Sequence, residues 1–290
     1  MGLQMFLSSC GVILRNPGVQ PVPALMRHTA WHVVRRMAPL PLEVMLTDRS
    51  RLLLTRREEM NGSVALVWSQ RLYDYHNMTF LSALLEADFA RVCFDVGANV
   101  GIYSLLMSEK DSVTVHAFEP HPATHATLER ILGFNHRSNA HAWKIALSDT
   151  PGSLRFTNDD YSTVNQALDS TQGEVPSITV PAETGRDFCE RHQVIPEIIK
   201  VDTEGFETRV LHGFGSLLSN TRLIFVEMNA PAEEVAAALP SEVFDGPFYV
   251  DHTRRLLCRL RHNHEDAVFV NRMALKDLNS LGYRVETPRE

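Results

Sequence analysis

From about Arg91 to Asn229, short apolar runs alternate with amphipathic stretches: Val92–Val96, 101–109, Val113–Phe118, 122–134, Ala140–Leu147, 184–192, Ile198–Val201, 206–218 and Leu223–Glu227. The short runs predict strands and the longer stretches predict helices, an alternation that builds a parallel sheet covered by helices on both faces. The strand runs are continuously apolar rather than alternating, as burial on both sides requires. Beyond Pro231, a helix and the runs Phe248–Val250, Leu256–Leu260 and Ala267–Val270 predict an antiparallel edge. The expected fold class is therefore α/β, a doubly wound, mostly parallel sheet with an antiparallel C-terminal edge. Between Ser153 and Val180 two short β-like segments, Leu154–Thr157 and Ile178–Val180, flank a polar stretch. This excursion reads equally as a cover over a ligand or as a plain surface loop.

Residues 1–88 follow another pattern. Pro17, Pro21, Pro23, Pro39 and Pro41 interrupt any long helix, which predicts a loosely built extension with strands near Leu42–Leu46 and Arg51–Thr55 and a helix near Thr79–Ala87. Residues 89–290 would form the main domain, with its motif-bearing core at 91–229 and a strand addition at 230–290.

Composition narrows the class. A chain of 290 residues, 44% hydrophobic and 22% charged, is long enough for one large core. Its net charge of −7 argues against a general nucleic-acid binder. The basic runs Arg27–Arg36 and Arg254–Arg261 read as solvated faces or as loose docking sites for an acidic partner rather than as a nucleic-acid site. No window reaches the roughly 18 uninterrupted apolar residues of a membrane helix, so no membrane insertion is expected. Cys10, Cys93, Cys189 and Cys258 are far apart and form no C-x-x-C pair, which points to neither a disulfide framework nor a zinc knuckle. A reducing, cytoplasmic setting is expected. The residues leave oligomeric state open.

The chemistry concentrates at strand ends. Phe94-Asp95-Val96-Gly97-Ala98-Asn99-Val100-Gly101-Ile102-Tyr103 is a strand, a glycine turn and a helix start, and the next strand closes on Phe118-Glu119-Pro120. Gly97 permits a tight turn, Gly101 lets the helix sit close to a ligand, and the helix start offers N–H groups to an anion. Glu119, eighteen residues beyond Gly101, is placed to accept hydrogen bonds from both hydroxyls of a ribose. The spacing is not the G-x-G-x-x-G of dinucleotide sites and suits a nucleoside ligand without a pyrophosphate, such as S-adenosylmethionine. A second constellation, Ile198-Ile199-Lys200-Val201-Asp202-Thr203-Glu204-Gly205-Phe206-Glu207, ends the fourth core strand at the same side of the sheet, and Glu227 and Asn229 close the fifth. Asp202, Glu204 and Glu207 either face the cleft or serve as caps on the following helix.

These segments together with Ala146-Leu147-Ser148-Asp149, in this order, resemble the FkbM family of S-adenosylmethionine-dependent methyltransferases over roughly residues 75–230, and weakly to Asp266–Asn271. The resemblance implies a class I methyltransferase fold and O-methylation of hydroxyls on sugars, glycans or natural products. It assigns Asp95, Gly97, Asn99 and Gly101 to the methionine part of the cofactor, Glu119 to the ribose and Asp149 to the adenine. Thr203 and Phe206 depart from the family pattern, which usually has an aliphatic and a small residue there.

An alcohol must lose its proton as it takes up a methyl group. Asp202, Glu204 and Glu207 are the catalytic candidates, with Glu227 from the next strand and His262 and His264 from the tail. A Mg²⁺ held by Asp202 and a neighbouring carboxylate is an alternative way to acidify the hydroxyl. Tyr103 is read as a packing residue or as a cation–π partner of the sulfonium. The rival readings are a dinucleotide-dependent oxidoreductase and a non-catalytic cofactor-binding or interaction module.

Overall fold

The computed structural model describes residues 2–60, 62–158, 165–168, 175–259 and 266–286. The chain opens with helices α1 (Gly2–Arg15) and α2 (Pro21–Met37), a hairpin of β1 (Leu42–Met45) and β2 (Arg51–Leu54), and helices α3 (Gly62–Gln70) and α4 (Tyr75–Glu86). Here the sequence expectation fails, because Pro21 and Pro23 start α2 instead of interrupting it. Proline is tolerated in a first turn, where the N–H needs no intrahelical partner. Trp31 of α2 is buried and packs on Trp68 of α3 with ring centroids 5.6 Å apart.

The alternating region follows: β3 (Val92–Val96), α5 (Ile102–Met107), β4 (Thr114–Phe118), α6 (Pro122–Phe134), β5 (Ala140–Trp143), β6 (Ala146–Ser148), β7 (Gly152–Thr157), β8 (Ala167–Leu168), β9 (Ser177–Thr184), α7 (Gly185–His192), β10 (Ile198–Val201), α8 (Glu207–Phe214) and β11 (Leu223–Glu227). The chain then continues through α9 (Ala232–Ala237), β12 (Phe244–Asp251), β13 (Leu256–Arg259), β14 (Asp266–Asn271), α10 (Leu275–Ser280) and β15 (Arg284–Val285).

Among the described residues the main sheet has the order β15-β13-β12-β14-β11-β10-β3-β4-β5. Strands β11, β10, β3, β4 and β5 run parallel, while β14 pairs antiparallel with β11 and β12 in turn pairs antiparallel with β14. This is the expected doubly wound, mostly parallel α/β sheet with an antiparallel C-terminal edge. Strand order reverses between β3 and β10, and ligands of open α/β sheets bind at such a switch point, outside the carboxyl ends of the strands.

Alternate residues serve the two faces. Ile198, Leu223 and Phe225 join one core cluster while Ile199, Val201, Ile224 and Val226 join the other. The first cluster also takes in Trp31, Val44, Leu52 and Leu54, so one apolar core runs from the N-terminal helices to the sheet. The run Ala140–Leu147 does not make one strand. After β5 the chain leaves the main sheet, and β6 pairs with β9 in a second sheet of order β6-β9-β7-β8. The two predicted β-like segments lie within β7 and β9. Among the described residues no helix is long and apolar enough to cross a membrane.

Candidate functional site

The loop between β3 and α5 turns through left-handed backbone at Gly97 (φ 81°), Asn99 (φ 51°) and Gly101 (φ 89°). A Cβ on Gly97 would fall 1.7 Å from the Asp202 carbonyl oxygen, so glycine lets the loops after β3 and β10 abut. The Asp202 N–H closes the same seam, donating to the Val96 carbonyl at 2.9 Å. Gly101 has a different reason from the expected one. A Cβ there would meet Leu128 of α6 at 2.5 Å, so its bareness seats α5 against α6, and Gly101 does not line the site.

The carboxyl ends of β3, β4, β10 and β11 open into a cavity of about 280 Å³. On the β3–β4 flank it is lined by Asp95, Gly97, Asn99 and Glu119, with Ile145, Leu147 and Phe156 as an apolar wall. Asp95 is fully buried; its Oδ2 accepts from Ser104 Oγ at 2.5 Å, while Oδ1 has no hydrogen-bond partner among the described residues. Glu119 Oε2 accepts from the Asn99 N–H at 3.0 Å and Oε1 from the His121 N–H at 2.9 Å. Burial pushes the Glu119 pKa up to about 7 against the pull of those two bonds.

The β10–β11 flank carries Lys200, Asp202, Glu204 and Glu227. In the parallel register Lys200 lies opposite Asp95, which brings both residues to one face of the sheet. Lys200 Nζ donates to Asp202 Oδ2 at 2.6 Å and sits 4.6 Å from the centroid of the Tyr103 ring. Burial works to lower the Lys200 pKa, yet the Asp202 and Asp95 charges outweigh it and keep the ammonium charged far above neutral pH. Burial likewise opposes ionisation of Asp202, and the Lys200 charge with a hydrogen bond from Glu227 overrides it, holding that carboxyl below its usual range. Glu227 is pushed up to about 9, by burial first and by the Asp202 charge second. Glu204 is raised as well, through burial and then the Asp202 and Glu207 charges. Tyr73 and Asp74, preceding α4, and Asp266 of β14 complete this flank, and the Tyr103 hydroxyl donates to Asp74.

Of the sequence candidates, Asp95, Gly97, Asn99, Glu119, Asp202, Glu204 and Glu227 thus meet around one cavity. Glu207 and Asp149 do not line it. Glu207 Oε1 turns back to accept from the Thr203 and Gly205 N–H groups at 3.0 Å each, clamping the loop that carries Glu204. Asp149 is drawn off by Arg209, whose Nη2 lies 2.8 Å from its Oδ1, so the adenine position expected for it is not borne by the geometry. His262 and His264 lie outside the described residues. Tyr103 faces a cation, but that cation is Lys200. Lys200, Tyr73, Asp74 and Asp266 were not among the candidates. A charged residue within the buried run Ile198-Ile199-Lys200-Val201 was a readable signal for the first, and nothing local marks the other three.

Residues 95–271 match the methyltransferase FkbM domain family. The chain is 30% identical over 173 residues to the hexuronic acid methyltransferase AglP of Haloferax volcanii, covering 58% of this chain and 68% of that protein. It is 45% identical over 67 residues to the 31-O-demethyl-FK506 methyltransferase FkbM of Streptomyces tacrolimicus, which is 23% of this chain and 25% of that one. A third relative, methyltransferase 1 of Beauveria bassiana, is 28% identical over 140 residues, covering 41% of this chain and 56% of its own length. With the family match spanning more than half of its length, and with the strand order and glycine loop described above, the chain belongs to the FkbM methyltransferase family.

Proposed function

We propose that this chain transfers a methyl group from S-adenosylmethionine to a hydroxyl oxygen of a neutral or amino-bearing sugar, glycan or natural product. The reading rests on one observation, the cavity at the switch point, with two buried carboxylates on its β3–β4 flank and a charged Lys200–Asp202–Glu227 cluster on its β10–β11 flank. The residues fit the cofactor. The unpartnered Asp95 oxygen suits the methionine ammonium, and each Glu119 oxygen keeps a lone pair for a ribose hydroxyl after accepting its backbone N–H. The wall of Ile145, Leu147 and Phe156 suits the adenine. Bound there, S-adenosylmethionine supplies an electrophilic methyl group.

The protein's part is to align the acceptor, exclude water and take a proton. Glu204, with its raised pKa and its place on the cavity wall, is the base in this reading. Asp202, kept ionised by Lys200, orients the hydroxyl. Mg²⁺ gains no support, because Asp202, one of the carboxylates that would hold it, is already paired with the Lys200 ammonium at 2.6 Å. Among the described lining residues Lys200 is the single cation, and it is already paired with Asp202, so no unpaired positive charge remains to meet a carboxylate-bearing acceptor. The test is transfer of label from methyl-labelled S-adenosylmethionine to matched hexosides, amino sugars and uronic acids. Label in the first two groups is expected, with turnover cut at least about a hundredfold by Glu204→Gln. Label in uronic acids alone, or in none, would overturn the acceptor assignment.

A further inference from the structure

Lys200 is an expensive residue where it stands. Its neighbours Ile199 and Val201 are fully buried strand residues, and Lys200 itself is 6% exposed. Taking an ammonium out of water costs several kcal/mol before pairing, and an apolar residue would serve the sheet better. The fold nevertheless holds the charge in a built environment. Asp202 accepts from it, the Tyr103 ring lies beneath it, and Asp95 faces it across the β3–β10 register. One carboxylate oxygen from each of Asp202, Glu204 and Glu227 lies within 4.8 Å of the others, a spacing a divalent cation would bridge.

We propose that the Lys200 ammonium, paired with Asp202, is the cation of this site and takes by charge the role a divalent metal would have beside Asp202, Glu204 and Glu227. Resting on the methyl-transfer reading, this assigns Lys200 two tasks. It holds the Asp202 carboxylate charged and fixed, and it balances the negative charge that grows on the acceptor oxygen as the hydroxyl proton passes to Glu204. Lys200 itself neither gives up nor receives a proton in that step. The three carboxylates are then competent metal ligands that the ammonium excludes by repulsion.

The experiment titrates Mn²⁺ into the full-length protein and follows the signal of free Mn²⁺ by electron paramagnetic resonance. Wild type is expected to leave that signal unchanged. Lys200→Met is expected to bind one Mn²⁺ per chain, at least about tenfold more tightly than any wild-type binding, as removal of a like charge a few ångströms away demands. Adding Glu204→Gln to Lys200→Met should abolish that binding. Lys200→Gln serves as a second neutral variant if Lys200→Met does not fold, and Lys200→Arg should restore exclusion of the metal. Wild-type Mn²⁺ binding that Glu204→Gln removes would overturn the proposal, and so would a folded neutral variant that binds no Mn²⁺. Failure of the methyl-transfer reading would show separately, as absence of S-adenosylhomocysteine binding by wild type whatever the Mn²⁺ result.

Discussion

Glu119 ends β4 with each carboxylate oxygen already holding a backbone N–H, so it enters the cavity pre-oriented with acceptor capacity to spare. Its pKa of about 7 lies above the ordinary 4.5. In the free protein this raised value stabilises the fold below the ordinary carboxylate range, and that contribution is lost as pH climbs through about 7. In the proposed reading the ionised form is the one that accepts two ribose hydroxyls. Affinity for S-adenosylhomocysteine is therefore expected to rise between about pH 6 and about pH 8, while Glu119→Gln binds more weakly by about 1–3 kcal/mol at the upper end and shows a flat profile. Calorimetry across that range checks it, and a pH dependence unchanged in the variant would remove Glu119 from the site. Glu119 was legible because a strand-end carboxylate at that distance from a glycine turn has few other uses. Lys200 was not singled out, because its partners Asp95 and Tyr103 are set by strand register and helix packing, which no local spacing encodes.

At the level of elements, the loop from Asp202 to Glu207 connects the site to the helix behind it. Glu207 begins α8, and its Oε1 gathers the Thr203 N–H, the Gly205 N–H and the Thr203 hydroxyl at 3.0, 3.0 and 3.2 Å. Glu204 is held within that clamp in a left-handed conformation, φ 55°. Glu207→Ala strands these donors and is expected to cost about 1–3 kcal/mol in denaturant unfolding. Loss of turnover with stability untouched would instead make Glu207 a reacting group. The alternation of strands and helices was readable because short, continuously apolar runs such as Ile198–Val201 and Leu223–Glu227 suit strands buried on both faces. The break between β5 and β6 was not, since Ala140–Leu147 is one run by composition and only pairing of β6 with β9 divides it. The prolines in the first turn of α2 misled for a related reason, because breaking and starting a helix differ by the position of a single turn.

Across the whole molecule, the N-terminal 88 residues contribute both packing and site. Trp31 is 2% exposed in the cluster that reaches the sheet, and Tyr73 and Asp74 line the cavity. Trp31→Ala is expected to cost about 3–5 kcal/mol, in a single transition shared by far- and near-ultraviolet circular dichroism. Two separated transitions would mean that the N-terminal helices fold apart from the sheet. None of this was legible from the segment itself, whose hydrophobic positions acquire a partner only when the chain is folded. At this scale the proposed reading gives the switch-point cavity one central role, to hold S-adenosylmethionine. Calorimetric titration of the purified protein with S-adenosylmethionine and S-adenosylhomocysteine, with NAD and NADH as controls, tests it most directly. Binding of the first pair alone, lost on Glu119→Ala, is the predicted result; a well-folded protein that binds neither, or binds NAD instead, would contradict it.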